Sequence, residues 1–288
     1  MRRIALFLTV ILLAALATVA TAVPSLTETT LAKVSRTGVL VIGTRTGSPP
    51  FAFVNRSNEW VGLSIDLVEQ GVLPAVSRKV GKPVKLEKRE STPATRLKLL
   101  LVRNVDLIAE TMTDAPQRRA DVDFSLTFFL TGGQFLVKQG SPIKGIDDIA
   151  GKRVGAVEGS TYARIIREQA PKAALLEFSE QAAAVRALVQ GKVDAFTSDG
   201  AQLYGHKYKT PDLKDYEVVG SPFTREPLAM AIRKGDHAFG EVVNSGLRNL
   251  LESGKYFEIY EKWFGPKSET PYPMTAEAKE YLMAQLKK

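Results

Sequence analysis

Short apolar runs alternate with amphipathic segments along the first half of the chain. The run 39–42 is apolar at every position, which is typical of a strand covered on both faces. Segments 64–79 and 94–103 have the pattern of helices, and 84–86 and 105–109 have the pattern of strands. This βαβαβ order predicts a parallel sheet with helices on its faces.

A second unit with the same order follows. Its predicted elements are strands at 154–157, 175–178 and 193–197 and helices at 161–169, 181–190 and 201–209. A β-prone stretch at 128–137, broken by Gly132-Gly133, lies between the units. Beyond the second unit, the pattern predicts a strand at 228–232 and helices at 242–252, 256–264 and 275–286.

The chain crosses between the two units near 131–133 and again near 220–224. We therefore predict two lobes, one formed by 23–131 with 225–288 and the other by 132–224. Two crossing strands would make a hinge, and ligands bind beyond the carboxyl ends of strands in open α/β sheets. Two such sheets facing each other define a cleft. The alternative is one continuous sheet with a long insertion.

The N-terminus has the features of a secretory signal peptide. Arg2 and Arg3 precede an apolar run, 4–17, which ends in the small residues 20–22. The alternative is a membrane anchor, but the run is shorter than the roughly 20 residues needed to span a bilayer. We expect a signal peptide at 1–22, cleaved near Ala22, and a periplasmic protein. The chain has no Cys, so neither a disulfide nor a lipid-modified N-terminal Cys is expected.

Composition excludes several other classes of protein. The net charge is +8, but basic and acidic residues interleave and no nucleic-acid-binding motif is evident, so we expect no nucleic acid partner. His206 and His237 are the only histidines, and their separation does not suit a metal site. We interpret each as a surface or boundary residue. No nucleophile elbow or phosphate-binding loop occurs, so no catalytic residue, metal or cofactor is expected.

The segment after the strand 105–109 is the first candidate binding region. Asp114 is a good N-cap and Gln117 follows three residues later, which predicts a helix beginning at the strand's carboxyl end. Arg118 would then lie about one turn into this helix, where its guanidinium could bind a carboxylate. The alternative is a solvated Arg118, like its neighbour Arg119.

The second unit supplies two further candidates. Ser160 and Thr161 begin a predicted helix, and helix N-termini attract anions. Asp199 follows the strand 193–197 and could bind an ammonium group, although an N-cap role is equally natural. Asp66 lies at a helix start and is interpreted as structural.

Several short motifs occur in a fixed order along the chain. They are Gly38-Val39-Leu40, Pro49-Pro50-Phe51, Gly62-Leu63-Ser64-Ile65-Asp66-Leu67, Val105-Asp106-Leu107-Ile108, Thr111-x-Thr113-x4-Arg118, Phe124-Ser125, Gly151-Lys152-Arg153-Val154-Gly155, Gly159-Ser160-Thr161, Gly191-Lys192-Val193-Asp194-Ala195 and Lys262-Trp263-Phe264. In this order, from about 38 to 264, the chain resembles the family-3 extracellular solute-binding proteins of ABC importers. The resemblance implies an α/β, two-lobed periplasmic binding protein fold of type II, with a mainly parallel sheet in each lobe and a two-strand hinge.

The resemblance also implies roles for individual residues. Arg118 would clamp the α-carboxylate of an amino acid, helped by Thr161. Asp199 would pair with the α-ammonium, together with Thr111 and Thr113.

Within the family, the chain looks most similar to the glutamate/aspartate binders. Phe51 would pack on the ligand's aliphatic part, Arg45 would face a side-chain carboxylate, and Arg96 follows the same pattern. Gln181 and Gln134 stand where those binders tend to carry a His and another basic residue, so glutamine or another carboxylate is also open.

The resemblance implies a monomeric binding protein that delivers an amino acid, with glutamate or aspartate preferred, to a membrane permease. An enzymatic alternative is a cyclohexadienyl dehydratase, since some relatives use the same cleft for elimination. Glu110 and Asp199 would be its candidate general acids. A ligand-sensing input protein is a further alternative.

Overall fold

Two five-stranded sheets form the framework of the computed structural model, which describes residues 28–287. The predicted signal peptide therefore lies outside the described residues.

The elements before the first crossing are α1 Thr30–Thr37, β1 Val39–Thr44, β2 Gly47–Ser48, β3 Ala52–Val54, β4 Trp60–Val61, α2 Leu63–Leu67, a π-helical turn Val68–Val72, α3 Leu73–Val80, β5 Lys85–Glu90, α4 Arg96–Leu101, β6 Leu107–Ile108, a 3-10 turn Arg118–Ala120 and β7 Val122–Thr131. After it come β8 Gly133–Lys138, a 3-10 turn Ile146–Ile149, β9 Arg153–Val157, α5 Thr161–Gln169, β10 Ala174–Phe178, α6 Gln181–Val189, β11 Ala195–Asp199, α7 Gly200–Lys209, a 3-10 turn Pro211–Leu213 and β12 Tyr216–Val219. The chain ends with β13 Glu226–Arg233, α8 His237–Glu252, α9 Lys255–Phe264, α10 Ala276–Ala284 and a 3-10 turn Gln285–Lys287.

Both sheets are mixed but mainly parallel in strand direction. The first sheet, which defines lobe 1, has the order β5-β1-β6-β13-β7, and the second, which defines lobe 2, has the order β10-β9-β11-β8-β12. In each sheet one strand, β13 or β8, runs antiparallel to both of its neighbours. These two strands directly follow the crossings and so enter their sheets from the edge at which the parallel strands end. The carboxyl ends of the parallel strands of both lobes therefore meet at the crossings, as expected for a cleft.

Helices α2, α3, α8 and α9 bury one face of the first sheet in a single apolar core. Helix α8 crosses the π-helical turn Val68–Val72, and there the backbone of Gly246 packs directly on that of Gly71. A Cβ on Gly246 would lie 2.7 Å from the carbonyl oxygen of Gly71. Gly71 lies in the π-helical turn, which joins α2 and α3 into one helix close to the predicted 64–79.

The C-terminal helical segment covers the edge strand β7. The side-chain amide of Gln285 accepts a hydrogen bond from the Thr127 amide at 2.7 Å and donates one to the Thr127 carbonyl at 3.0 Å. Arg225, beside the second crossing, pairs with Glu277 and stacks over Tyr281. The covered backbone of β7 is therefore not an open pairing edge.

The helix predicted to begin at Asp114 does not form, and Arg118 instead starts a three-residue 3-10 turn. The Asp114 carboxylate accepts hydrogen bonds from Arg119 rather than capping a helix. The Asp114 amide donates to the Pro227 carbonyl at 2.8 Å, and Thr113 forms a bridge to Leu228, so this segment is tied to strand β13. The sequence pattern also missed α1, the small sheet β2–β4 and strand β12.

Asp66 has the structural role expected of it. Its carboxylate accepts hydrogen bonds at 2.7 Å from both Lys262 and Trp263 and thereby ties α2 to α9. Within residues 28–287, every helix is too short or too polar to cross a membrane.

Replacing Gly246 with Ala should destabilise lobe 1, because the new methyl group must displace backbone of the facing helix. Overpacking of this kind costs about 1–3 kcal/mol of unfolding free energy. Gly240→Ala in the same helix is the matched control, since its Cβ would meet only the Ile232 side chain, at 3.7 Å. That variant should be neutral or stabilised by up to about 1 kcal/mol, from higher helix propensity. Urea unfolding of both variants measures the difference, and equal stabilities would contradict the tight crossing.

Candidate functional site

The two connections between the lobes lie side by side. The Phe223 amide donates to the Gly133 carbonyl at 2.9 Å, and the Gly133 amide donates to the Thr224 hydroxyl at 2.9 Å. Gln134 donates to the Gly220 carbonyl at 2.6 Å. A Cβ on Gly132 would lie 2.1 Å from the Thr224 carbonyl oxygen, so only glycine fits this contact. The lobes are thus joined by two adjacent, mutually bonded segments.

A cavity lies between the lobes at the carboxyl ends of their strands, with an empty volume of about 370 Å³ including its opening. Its lining comprises Arg45, Pro93, Arg96, Thr111, Thr113, Arg118, Val157, Ser160, Thr161, Tyr162, Gln181, Thr197, Ser198, Asp199 and Gln202. Of the ligand-binding residues expected from the sequence, all except Phe51 are among them, whereas Gln134 and the candidate general acid Glu110 are not. The structure therefore brings together side chains that are up to 157 positions apart, from Arg45 to Gln202.

Phe51 lies elsewhere, in the core of lobe 1. Its side chain is fully buried, and its ring centroid is 4.8 Å from that of Phe129 and 5.3 Å from that of Phe264. The expectation that Phe51 packs on a ligand does not fit this position, because neighbouring aromatic rings enclose it.

Arg118 is the cation of the cavity that lacks an acidic partner within residues 28–287. Its guanidinium donates to the Thr113 carbonyl at 2.9 Å. Burial, and next the charge of Arg96, lower the pKa of Arg118 to about 9. Arg118 therefore stays protonated at neutral pH and is poorly compensated, a combination that favours binding an anion.

The other two arginines of the cavity are each paired with a carboxylate. Arg96 donates to Glu110 at 3.0 Å and to the Thr111 carbonyl at 3.2 Å. Burial lowers the pKa of Arg96, and Glu110 opposes that shift. Arg45 reaches across the cleft to Glu180 at 3.0 Å. Glu110, a candidate general acid, is thus held in a fully buried ion pair.

Asp199 ends strand β11 with its side chain buried beside the cavity. Its carboxylate accepts a hydrogen bond from the Tyr162 hydroxyl at 2.7 Å and makes no capping bond to α7, although it occupies the N-cap position. Burial raises the pKa of Asp199 to about 7; Tyr162 opposes the shift, and the buried Glu226 adds to it. A cation close to Asp199 would favour its ionised form.

Lobe 1 and lobe 2 also meet through hydroxyl groups. The Thr161 hydroxyl is 3.3 Å from that of Thr113. Ser160 caps helix α5 by accepting a hydrogen bond from the Ala163 amide at 3.1 Å. The N-terminus of α5, with its partial positive charge, therefore adjoins the cavity near Thr161.

A chain of neutral polar groups covers the remaining wall. The His206 imidazole bonds to the Gln181 amide oxygen at 2.5 Å, and the Gln181 amide donates to Ser198 at 3.3 Å. Ser198 donates to Gln202 at 2.9 Å, and Gln202 donates across the cleft to Thr111 at 3.0 Å. Neutral side chains of α6, β11 and α7 thus form one hydrogen-bonded chain, which reaches lobe 1 through Gln202.

His206 is buried, contrary to the surface or boundary position expected for it. Burial, and then the charge of Arg45, lower its pKa to about 4. Sequence reasoning also missed Tyr162, Ser198 and Gln202. Gln202 and His206, four residues apart, share one face of α7, and that spacing was the available signal for Gln202, whereas Ser198 lies in strand β11.

The chain belongs to the bacterial extracellular solute-binding proteins, family 3, whose model matches residues 40–266. The sequence is 38% identical over 237 residues to the ABC transporter glutamine-binding protein GlnH of Bacillus subtilis, covering 81% of this chain and 84% of the relative. It is 31% identical over 264 residues to the L-glutamate/L-aspartate-binding protein of Pseudomonas aeruginosa, covering 88% and 87%.

Among solved structures, an ancestral arginine-binding protein bound to glutamine has a TM-score of 0.73 and 33% identity, covering 79% of this chain and 98% of that chain. This likeness confirms the two-lobed α/β fold. The two curated relatives are named as binding proteins rather than enzymes, in agreement with the expectation for this chain.

The pKa of His206 should make the protein less stable in mild acid. Between pH 6.5 and about 4 the unfolded chain binds a proton at this residue while the folded chain does not. Lowering the pH from about 7.5 to about 5 should therefore remove about 2 kcal/mol of stability through His206.

Urea unfolding at both pH values measures this loss. The His206→Gln variant should lose about 2 kcal/mol less than the wild type over the same interval. His237→Gln, at an exposed position, should behave like the wild type. An identical pH response of wild type and His206→Gln would contradict a neutral, buried His206.

Proposed function

We propose that this chain is the solute-binding subunit of an ABC importer and holds a free amino acid in the cavity between lobes 1 and 2. One observation carries the proposal: Arg118, a guanidinium without an acidic partner among residues 28–287, and Asp199, a buried carboxylate, line the same small cavity from opposite lobes. An amino acid has the two complementary charges on one carbon atom.

The contacts available to such a ligand follow from the geometry. Arg118 and the N-terminus of α5 at Thr161 would bind the α-carboxylate. Asp199 would bind the α-ammonium, and the hydroxyls of Thr111 and Thr113 would accept or donate the remaining hydrogen bonds. An enclosed cavity strengthens both ion pairs and penalises a solute that leaves either charge unpaired.

The described conformation corresponds to the closed form of the binding protein, in which the two lobes are in contact around the cavity. Helix α7 of lobe 2 packs on lobe 1, where a Cβ on Gly205 would lie 2.4 Å from the Pro49 carbonyl oxygen. Lys209 forms an ion pair with Glu269 across the same boundary. We infer that 132–224 moves against 23–131 and 225–288 about the two crossings, and that the permease recognises the closed form.

The relatives support a polar amino acid as the ligand, since one is named for glutamine and another for glutamate and aspartate. Glutamate or aspartate was preferred from the sequence because Arg45 was expected to face a side-chain carboxylate. A secreted monomer, released into the periplasm after cleavage near Ala22, completes the proposal. Glu110 is bound to Arg96 in the interior, which disfavours the dehydratase alternative.

Arg118→Ala should reduce amino acid affinity by about 100-fold or more, because it leaves the α-carboxylate buried without its partner. Arg119→Ala is the matched control, since Arg119 is exposed and pairs with Asp114. Titration calorimetry of refolded, ligand-free protein with glutamine and with glutamate measures the effect. Affinity within threefold of the wild type in Arg118→Ala would refute the clamp.

Amino acid affinity should fall in mild acid because Asp199 must be ionised to bind an ammonium. With a pKa of about 7, the carboxyl group is protonated at lower pH. Affinity for glutamine, whose side chain does not titrate, should fall by up to about tenfold per pH unit between pH 7 and pH 5.

Asp199→Asn is the control for this pH dependence. It should bind glutamine more weakly at all pH values and with a flat pH profile. Calorimetry in buffers of different ionisation enthalpy should also detect proton release on binding to the wild type below about pH 7. A flat wild-type profile would rule out the assignment of Asp199.

A further inference from the structure

We propose that Glu180 is a specificity-determining residue that neutralises Arg45 across the cleft and so selects an amide over a carboxylate at the side-chain end of the ligand. This inference rests on the proposed function and concerns the part of the cavity lined by Arg45 and Gln181.

The first step is the burial and pairing of Arg45. Its side chain is 3% exposed, and the carboxylate of Glu180 lies 3.0 Å from one of its terminal nitrogens. Its Nε is buried and has no hydrogen-bond partner in the described part of the chain. Arg45 therefore has a free N–H donor, while Glu180 compensates its charge.

The second step is the neutrality of the surrounding wall. Gln181, Ser198 and Gln202 carry no charge and form a continuous hydrogen-bonded chain. His206, next to Gln181, has a pKa of about 4 and adds no positive charge at neutral pH. Among the described residues that line the cavity, Arg45 is thus neutralised by Glu180, and the neighbouring Arg96 is neutralised by Glu110, so neither is left unpaired to receive an anion.

A side-chain carboxylate and a side-chain carboxamide of the ligand differ in the charge that they bring into the cavity. A carboxylate would add a second anion beside Glu180, in a cavity that already holds Asp199, and would have to share or displace the partner of Arg45. A carboxamide adds no charge; its oxygen can accept from Arg45 and its NH₂ can donate to the neighbouring glutamine oxygens. Burying an excess charge is the costly outcome, so the amide is favoured.

The last step is the position of the pair in the fold. Arg45 follows strand β1 of lobe 1, whereas Glu180 precedes helix α6 of lobe 2. The pair therefore spans the cleft and exists only when the lobes close. A side-chain carboxylate that takes Arg45 from Glu180 also removes a contact of the closed form.

An unpaired Arg45 would favour glutamate or aspartate, which is the preference expected from the sequence. The same arginine, once paired with Glu180, favours glutamine. Glu180 makes no capping hydrogen bond to α6 and its side chain is 31% exposed, so its replacement should leave the fold intact.

The test is titration calorimetry of ligand-free wild type, Glu180→Gln and Glu180→Ala with glutamine and glutamate at about pH 7.5. The wild type should bind glutamine at least about tenfold more tightly than glutamate. Both variants should shift this ratio towards glutamate by about tenfold or more, because Arg45 is freed. Glu177→Gln, which removes a surface partner of Arg167 in the same lobe, should leave the ratio unchanged.

Several outcomes overturn the proposal. Tighter wild-type binding of glutamate does so without any variant, and so does binding of some other amino acid but of neither of these two. Equal weakening of both ligands in the Glu180 variants would show a closing contact without a role in selection. If no amino acid binds the wild type at all, the proposed function itself fails.

Discussion

Charge balance in one small interlobe cavity is the constraint on which the rest of the site depends. Three arginines, Arg45, Arg96 and Arg118, line it. Their mutual repulsion in a poorly solvated space is tolerable because Glu110 and Glu180 each neutralise one of them. Arg118 and Asp199 each remain without an ion-pair partner in the described residues, so a ligand that carries both charges completes the pairing.

The topology explains why these charges meet. Parallel strands of both sheets end at the cleft, so polar residues just after β1, β6 and β11 converge there although they are distant in sequence. The strands that follow the crossings, β8 and β13, run antiparallel to both of their neighbours and therefore begin at the cleft. Glycine at 132 lets the two connecting segments touch, so the crossings between the lobes run side by side.

Much of this arrangement could be predicted from local pattern. Helices α5, α6 and α7 agree with the prediction to within one residue at each end, and each directly follows a polar residue, Ser160, Glu180 or Asp199. The predicted helix after Asp114 was wrong: the Asp114 carboxylate pairs with Arg119 instead of capping a helix, and the Asp114 amide donates to Pro227 of β13. The Phe51 ring was expected to contact the ligand, but it packs against Phe129 and Phe264, which are distant in sequence.

The partners of the arginines were the least predictable part of the site. Arg45 and Glu180 are 135 positions apart, and no local pattern links them. A motif indicates that an arginine is present, but its chemical role depends on which carboxylate the fold brings to it. The charge state of Asp199 and the neutrality of His206 likewise follow from burial, which a sequence does not display.

The amide of Gln285 on strand β7 has a consequence for intermolecular association. By bonding both backbone groups of Thr127, one side chain imitates a neighbouring strand at the outer margin of the first sheet. The N–H and C=O groups of Thr127, which a strand of a second molecule would need for pairing, are therefore already hydrogen-bonded. Gln285 thus blocks strand pairing between two molecules at this position of β7, far from the interlobe cavity.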